Sequence, residues 1–204
     1  MTSQKLTAAR QTEAQRGKMI PEGDRPCFHL TPMSGWMNDP NGFSFYDGKY
    51  HMFYQYNPYS STWDRMHWGH AVSSDLLHWE YLPAALAPDE TYDEGGCFSG
   101  SAAVMPDGRM LLMYTGVRNE MDETGRIRGV QTQCMAFGNG TDFEKYEGNP
   151  VLDETQLPEG ASRQDFRDPK IVRQADGSWL AFIGSRPQDG SGQILMYRST
   201  DALH

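Results

Sequence analysis

The sequence predicts an all-β fold built from propeller blades, because one pattern repeats three times and turn residues punctuate the chain at roughly 8- to 12-residue spacing. The pattern is an apolar strand, an Asp-Gly turn and a second apolar-rich strand, and its copies begin at Asn38, Phe98 and Arg167. The turns fall at Asp47, Asp107 and Asp176. A β-sandwich of the same strands is the structural alternative, but it gives no reason for like residues to recur at like positions.

The second half of each unit repeats more weakly and completes a blade of four strands. The segment WGHAVSSDLLHWEYL from Trp68 resembles QCMAFGNGTDFEKYEGNPVL from Gln133, and MYRSTDALH from Met196 begins the same pattern. The chain thus holds two blades and most of a third, and because propellers close with four to eight blades we expect an N-terminal fragment. Residues 1–25 are predicted as a polar lead-in with one helix of about 15 residues, and residues 26–204 as the partial propeller domain.

Composition excludes several classes of partner. The chain has 204 residues and a formal net charge of −9, which argues against nucleic acid, and it has no stretch near the ~20 apolar residues that a membrane crossing needs. Cys27, Cys97 and Cys134 form no C-x-x-C pair, and the N-terminus lacks the apolar region of a secretory signal. These features predict a cytoplasmic protein with reduced thiols.

Neither a metal nor a cofactor is expected. His67 and His70 stand three apart in a predicted strand, where this spacing points their side chains to opposite faces. The acidic run from Asp89 to Glu94 lacks the spacing of an EF-hand and is interpreted as a charged loop. No motif for a nucleotide or a flavin is present in the sequence.

Three polar side chains occupy one equivalent position of the repeat. Asp39, Ser99 and Asp168 each stand eight residues before an Asp-Gly turn. Innermost propeller strands line a central channel, so we expect Asp39 and Asp168 to approach one another across it. Two carboxylates converging in a polar pocket are typical of glycoside hydrolysis. The alternative is that each Asp-Pro pair only initiates a turn, repeated because the blades are repeated.

The neighbouring residues favour the chemical interpretation. Asn38 and Asn41 bracket Asp39 with amide donors. Arg167 precedes Asp168 with a guanidinium that would favour ionisation there if the two side chains lie on the same side of the strand. Gln55 lies on the next strand and offers both a donor and an acceptor. Among the tryptophans, Trp68 is expected in the core, whereas Trp63 lies in a polar loop and is the better candidate for a platform under a sugar ring.

Three sequence motifs resemble those of a known family. Trp36-Met37-Asn38-Asp39-Pro40-Asn41-Gly42, Phe98-Ser99-Gly100-Ser101 and Arg167-Asp168-Pro169 are similar to those of glycoside hydrolase family 32, the invertases and fructanases, and especially its bacterial sucrose or sucrose-6-phosphate hydrolases. The resemblance spans about residues 26 to 204. It implies a five-bladed propeller followed by a β-sandwich, a small sugar as substrate, and hydrolysis of terminal β-D-fructofuranosides with retention.

The resemblance also implies roles for individual residues. Asp39 would be the nucleophile that attacks the fructosyl anomeric carbon, and Asp168 would stabilise the transition state without forming a covalent bond. The fructose pocket would be shaped by Asn38, Gln55, Trp63, Phe98, Ser99 and Arg167, with Asn41 as a further binding residue beside the nucleophile.

One expected residue is not found. The family's acid/base glutamate stands in a Glu-Cys-Pro motif, which the 204 residues do not contain, so no general acid is assigned. Two alternatives to a hydrolase stay open: a fructosyltransferase, and a carbohydrate-binding fragment without turnover. The sequence also leaves open whether the substrate is sucrose, its 6-phosphate or a short fructan.

Overall fold

The computed structural model describes residues 2–187 and 189–204, so Met1 of the predicted lead-in and Gln188 within the predicted propeller segment lie outside the described residues. One α-helix precedes eleven strands in the described part of the chain. The elements are α1 (Gln4–Gly17), β1 (Trp36–Tyr46), β2 (Lys49–Asn57), β3 (His67–Ser73), β4 (Glu80–Leu86), β5 (Gly96–Val104), β6 (Met110–Met121), β7 (Ile127–Gly138), β8 (Phe143–Lys145), β9 (Ala161–Arg173), β10 (Trp179–Pro187) and β11 (Gln193–Ser199), with single 3-10 turns at Glu22–Asp24 and Glu154–Gln156.

The strands form three antiparallel sheets, one for each predicted repeat. Their orders are β1-β2-β3-β4, β5-β6-β7-β8 and β9-β10-β11, which we call blades 1, 2 and 3. Each sheet is a meander in which every strand pairs with the next along the chain, and the three sheets do not close into a ring. The all-β prediction and the division into blades are confirmed. The domain boundary after residue 25 stays a prediction.

Each innermost strand has one extra residue at the position that the repeat singled out. Across from β2, Asn38 pairs with Gln55 and Pro40 with Tyr54, which leaves Asp39 unpaired. The same shift leaves Ser99 unpaired in β5, and in β9 it falls at Asp168 and Pro169. Such β-bulges bend a strand and turn side chains in a new direction. The equivalence read from the sequence is therefore a shared backbone irregularity.

Both faces of blade 2 are buried, which explains its continuous apolar runs. In β6, Leu112 and Tyr114 pack toward blade 1, against Phe53 and Trp68, while the alternate residues Leu111 and Met113 pack toward Ile171 and Trp179 of blade 3. Successive side chains of a strand point to opposite faces, so a strand between two sheets needs apolar residues at every position. Trp68 is fully buried, as predicted for a core residue.

Helix α1 covers the outer edge of blade 1. Ser3 caps its first turn by accepting a hydrogen bond from the Leu6 amide at 3.1 Å. At the exposed edge of β4, Ala84 donates its N–H to Glu13 Oε1 at 2.8 Å, and its carbonyl accepts from Arg10 Nε at 2.9 Å. An edge strand presents unpaired backbone groups that attract other chains, so the helix supplies partners that a fifth strand would otherwise supply.

The acidic run is more than a charged loop. Asp93 is fully buried, where it accepts a hydrogen bond from the Tyr114 hydroxyl at 2.8 Å and pairs with Lys145 Nζ at 2.5 Å. Lys145 also contacts Asp89. The run thus anchors the connection between blades 1 and 2 to β8. Among the described residues, no cluster of His, Cys, Asp and Glu could hold a metal ion, and no helix is long and apolar enough to cross a membrane.

Glu13 should contribute less to stability as the pH rises toward neutrality. Burial raises the pKa of this carboxyl from 4.5 to about 7, so the folded state holds a proton that the unfolded chain has already released. Between these values the contribution of Glu13 to the free energy of unfolding decreases with pH, by on the order of 3 kcal/mol in total, whereas His67, whose pKa burial lowers to about 4, contributes in the opposite direction. On going from pH 5 to pH 8 in urea denaturation, Glu13→Gln should therefore gain stability relative to the unmodified protein. The exposed Glu159→Gln is the matched control, and an unchanged pH dependence in Glu13→Gln would contradict the assignment.

Candidate active site

Asp39 lies at the bulge of β1 with its carboxylate bonded from the neighbouring blade. Ser99 Oγ donates to Asp39 Oδ2 at 2.7 Å, across the interface of blades 1 and 2. A second donor to Asp39 is the side chain of Asn38, whose Oδ1 accepts from Trp36 Nε1 at 2.7 Å. The indole thereby fixes the orientation of the amide, so that its N–H groups are available to the carboxylate.

These bonds keep Asp39 ionised. The hydrogen bond from Ser99 has the largest effect on the pKa of Asp39 and lowers it below 3.8, the Asn38 side chain lowers it further, and partial burial opposes both. Donors to the charged form of a carboxyl stabilise that form. The carboxylate is exposed to solvent and therefore accessible to a ligand. It is thus an anion with fixed geometry, as attack on an electrophilic carbon requires.

Asp168 is held in an uncommon backbone conformation. Its φ of 63° lies in the left-handed region, and it precedes Pro169, which normally keeps the preceding residue extended. The Asp168 amide donates to the hydroxyl of Thr115 at 3.1 Å, so blade 2 stabilises the turn. Residues in such conformations persist where their surroundings hold them, and they cluster at functional sites. The bulge aims an exposed carboxylate out of β9.

The pKa of Asp168 shifts in the direction opposite to that of Asp39. Partial burial raises it above 3.8 and the negative charge of Asp39 raises it further, while Arg167 opposes both. The expected contact with Arg167 exists, with 3.9 Å between Arg167 Nε and Asp168 Oδ2. Arg167 lowers the pKa of Asp168, which is the direction expected from the sequence, but partial burial has the larger effect. Arg167 also pairs with Asp165. The influence of Asp39 on this pKa places the two carboxylates within electrostatic range of each other.

Side chains of blade 2 hold the backbone on either side of Asp168. At Phe166, the carbonyl accepts from Gln133 Nε2 at 2.7 Å and the amide donates to Gln131 Oε1 at 2.9 Å. Beyond the bulge, Ser101 Oγ donates to the Pro169 carbonyl and accepts from the Ile171 amide. The inner edge of β9 has no strand beside it, and these side chains replace the missing ladder.

Asn41 and Gln55 lie beneath the site instead of on its surface. Only 2% of Asn41 and 3% of Gln55 is exposed. Gln55 Nε2 donates to the Cys97 carbonyl at 2.9 Å, and Asn41 Oδ1 accepts from the Gly100 amide at 3.4 Å. Both side chains point toward blade 2, so they hold β5 in the same way that Gln133 holds β9. Among the described residues, Asn41 Nδ2 is buried without a hydrogen-bond partner, so the donation to Asp39 expected from the sequence is not found.

Two aromatic residues form one wall of the site. Trp63 is 54% exposed, as expected for a residue outside the core, and its ring packs edge-on against Phe98 at 5.8 Å between centroids. Phe98 directly precedes the bulged Ser99 that binds Asp39. An exposed indole beside a carboxylate offers an apolar face to the carbon atoms of a sugar ring while polar groups bind its hydroxyls.

Asp168 also lines a cavity of about 340 Å³ between β9, the end of β10 and the residues just before β11, and we call it the Asp168 cavity. The residues that line it are polar residues and glycines, and include Asp165, Arg167, Ser185, Arg186 and Gly190. Carboxylates, a hydroxyl and guanidinium groups provide acceptors and donors side by side, which suits a ligand with several hydroxyl groups.

Three supporting residues were missed by sequence reasoning: Thr115, Gln131 and Gln133. Their signal was present, because they are polar residues next to apolar stretches of β6 and β7, and all three are buried. A buried polar side chain in a strand requires a partner. The alternation of side chains along the strand does not by itself reveal that the partner is the backbone of the next blade.

A bladed all-β fold that places Asp39 and Asp168 at equivalent bulges of two inner strands fits a propeller glycosidase. Comparison with known proteins agrees: residues 29–204 match the model of the glycosyl hydrolases family 32 N-terminal domain. The chain belongs to this family. The family resemblance read from the motifs is thereby confirmed.

Relatives and solved structures extend this match. The chain is 44% identical over 201 residues to a sucrose-6-phosphate hydrolase of Zymomonas mobilis, covering 95% of this chain and 38% of the relative. It is 47% identical over 178 residues to a raffinose invertase of Escherichia coli, covering 86% and 35%. A β-fructofuranosidase of Bombyx mori superposes with a TM-score of 0.84 at 45% identity, covering 98% of this chain and 41% of that one. The chain thus spans about two fifths of these proteins.

Removing the Ser99 hydroxyl should make Asp39 a weaker acid. Ser99→Ala deletes the donor with the largest effect on the carboxylate, so the pKa of Asp39 should rise, whereas Ser99→Thr keeps a hydroxyl and should preserve it. The measurement is the titration of the Asp39 carboxyl carbon by NMR. Equal titration curves in Ser99→Ala and the unmodified protein would show that the bond does not control ionisation.

Removing the Thr115 hydroxyl should loosen the Asp168 bulge. Thr115→Val leaves the Asp168 N–H without its partner, which should cost about 1–3 kcal/mol of stability and speed hydrogen exchange at that amide. Thr155→Val removes an exposed hydroxyl bonded to Asp153 and is the control, with an expected change within ~0.5 kcal/mol. Slow exchange at Asp168 in Thr115→Val would be inconsistent with this role.

Proposed function

We propose that the protein hydrolyses terminal, non-reducing β-D-fructofuranosides by a retaining double-displacement mechanism. The observation that carries the proposal is a pair of carboxylates at equivalent inner-strand bulges, one kept ionised by Ser99 and Asn38 and the other on a backbone with positive φ. The names of the relatives support the substrate class, since they are hydrolases of sucrose 6-phosphate, raffinose and β-fructofuranosides. A mutant of the Bombyx mori enzyme with 42% identity was solved in complex with sucrose.

In the first step, an oxygen of Asp39 bonds to the anomeric carbon as the glycosidic C–O bond breaks. The leaving oxygen takes a proton from a general acid, and water then releases fructose from the enzyme by the reverse sequence, so the configuration is retained. Asp39 is suited to this role because the hydrogen bonds from Ser99 and Asn38 lower its pKa and keep the carboxylate ionised. No residue of this chain is proposed as the general acid.

Asp168 is proposed to stabilise the transition state. The reacting ring becomes oxocarbenium-like and positive, so two fixed carboxylates favour it over the neutral ground state. The raised pKa of Asp168 fits this assignment, because the partial burial that mainly raises it, and the Asp39 anion that adds to it, both make a nearby positive charge more favourable. Binding of the fructosyl ring is assigned to Asn38, Trp63, Phe98 and Arg167, with Asn41 and Gln55 supporting from below.

A cytoplasmic location is a further part of the proposal. It is supported by three cysteines that form no disulfide, of which Cys97 and Cys134 are buried. Burial raises the pKa of the Cys134 thiol to about 12, so this group is unreactive at neutral pH. Cell fractionation of the native source would test the location.

Loss of the Asp39 carboxylate should abolish turnover in the full-length protein. Asp39→Asn preserves shape but removes the nucleophile, so kcat for sucrose should fall on the order of 10³-fold or more, and Asp168→Asn should reduce kcat with intact folding. Asp47→Asn, at the turn of the same hairpin, is the matched control. Proton NMR of the first product should show the retained anomer.

Three results would count against this function. Full activity of Asp39→Asn would remove the nucleophile assignment, and an inverted product would exclude double displacement. Transfer of the fructosyl group to a second sugar in place of water would show the transferase alternative instead.

A further inference from the structure

The wall residue Trp63 lies in a loop that has neither helix nor strand. This loop spans residues 58–66 between β2 and β3, and its residues 61–65 are exposed. Connecting segments of this kind are usually more mobile than the strands that they join. A ligand that binds against a wall loses affinity when binding must first order that wall. The contacts that hold the loop therefore bear on how tightly the site binds.

Asn57, the last residue of β2, makes three hydrogen bonds into this loop. Only 2% of Asn57 is exposed. Its Oδ1 accepts from the Tyr59 amide at 3.0 Å, and its Nδ2 donates to Ser60 Oγ at 3.0 Å and to the Thr62 carbonyl at 2.9 Å. A backbone N–H only donates and a carbonyl only accepts, so these partners fix the orientation of the amide. The Thr62 carbonyl belongs to the peptide group that leads directly into Trp63.

The backbone before β1 packs against the same part of the loop. Gly35 has a φ of 79°, and a Cβ atom there would lie 2.1 Å from the Asn57 carbonyl oxygen and 3.1 Å from that of Ser60. Only a residue without a side chain fits this conformation and this space. The first part of the loop is therefore enclosed by the Gly35 backbone and bonded by the Asn57 side chain.

The far end of the loop is held by other residues. His67 is buried and its Nδ1 bonds to the Arg65 carbonyl at 2.6 Å, while the Met66 carbonyl accepts from the Cys97 amide at 2.8 Å. Burial lowers the pKa of His67 to about 4, so the ring is neutral at pH 7, and Nδ1 carries the proton because a carbonyl only accepts. Replacing Asn57 should therefore release only the first part of the loop, up to the indole.

We propose that Asn57 is a positioning residue that holds the Trp63 indole against Phe98 and thereby sets the affinity of the site for the fructosyl ring. This inference rests on the proposed function, in which the indole contacts that ring. The ionisation of Asp39 is controlled mainly by the hydrogen bond from Ser99, which Asn57 does not touch. Loss of the Asn57 amide should therefore weaken binding and leave the chemical step nearly intact.

The first test measures the hydrolysis of sucrose by the full-length protein. Asn57→Ala should raise KM about 10-fold and keep kcat within about 3-fold, because one well-placed aromatic contact contributes about that much to binding. Asn57→Asp keeps the volume and the acceptor for the Tyr59 amide but cannot donate to the Thr62 carbonyl, so it should raise KM in a folded protein. In a Trp63→Ala background, Asn57→Ala should change KM less than about 2-fold, since the residue through which it acts is gone.

Asn149→Ala is the matched control. Asn149 makes the same two-way contact with a backbone, because it accepts from the Met135 amide and donates to the Met135 carbonyl, both at 2.8 Å. This variant should lose a comparable amount of stability in urea denaturation, whereas KM and kcat for sucrose should stay within about 2-fold.

A second measurement needs no turnover. In fluorine NMR of the protein labelled with fluorotryptophan, the resonance of Trp63 is assigned by its absence in Trp63→Phe. Asn57→Ala and Asn57→Asp should shift or broaden this resonance, and Asn149→Ala should leave it unchanged. A general loss of stability would not distinguish the variants in this way.

The remaining outcomes overturn the positioning role. It is contradicted by an unchanged KM in both Asn57 variants, by a loss confined to kcat, or by a rise in KM that is equally large in the Trp63→Ala background. An unchanged Trp63 resonance in the Asn57 variants would also contradict it. If the unmodified protein hydrolyses no fructoside, the proposed function fails, and the NMR comparison decides on its own whether Asn57 holds Trp63.

Discussion

Hydrogen bonds from buried side chains of one blade to the backbone of the next are the interaction on which the site depends. An innermost strand has a partner strand on one side only, and each bulge breaks even that ladder. Gln55 supplies the missing backbone hydrogen bond for β5, and the side chains of Gln133, Thr115 and Ser101 supply them for β9. Leaving a buried backbone N–H or C=O without a hydrogen-bond partner costs about as much free energy as losing several weaker contacts. These few hydrogen bonds therefore determine the path of the backbone.

The same bonds connect stability to chemistry. In a regular strand, the alternation of side chains between the two faces would fix the directions of Asp39, Ser99 and Asp168. The bulges change the directions of these three side chains. Since apolar packing on both faces of blade 2 is non-directional, it sets the distance between neighbouring blades but not how far one blade is shifted along the other. The polar contacts set this shift, and through it the 2.7 Å bond between Ser99 and Asp39.

Much of this could be predicted from the sequence, and the limits have physical causes. The repeat with Asp-Gly turns identified the blades and the shared position of Asp39, Ser99 and Asp168, because local turn chemistry and alternation are properties of neighbouring residues. The burial of Asn41 and the net pKa shift of Asp168 could not be predicted. Both depend on which blade a side chain faces and how much solvent is excluded there, quantities that arise only once distant segments pack.

The cover that α1 places over β4 has a consequence for solubility. The groups that satisfy the edge at Ala84 are one cation and one carboxyl, and the carboxyl has a pKa of about 7. Ionisation of Glu13 in a site with little water weakens the hold of the helix just where the sheet would accept a strand from another molecule. One side chain of the leading helix thereby makes the cover of this sheet edge depend on pH, at the far side of blade 1 from the carboxylates of the site.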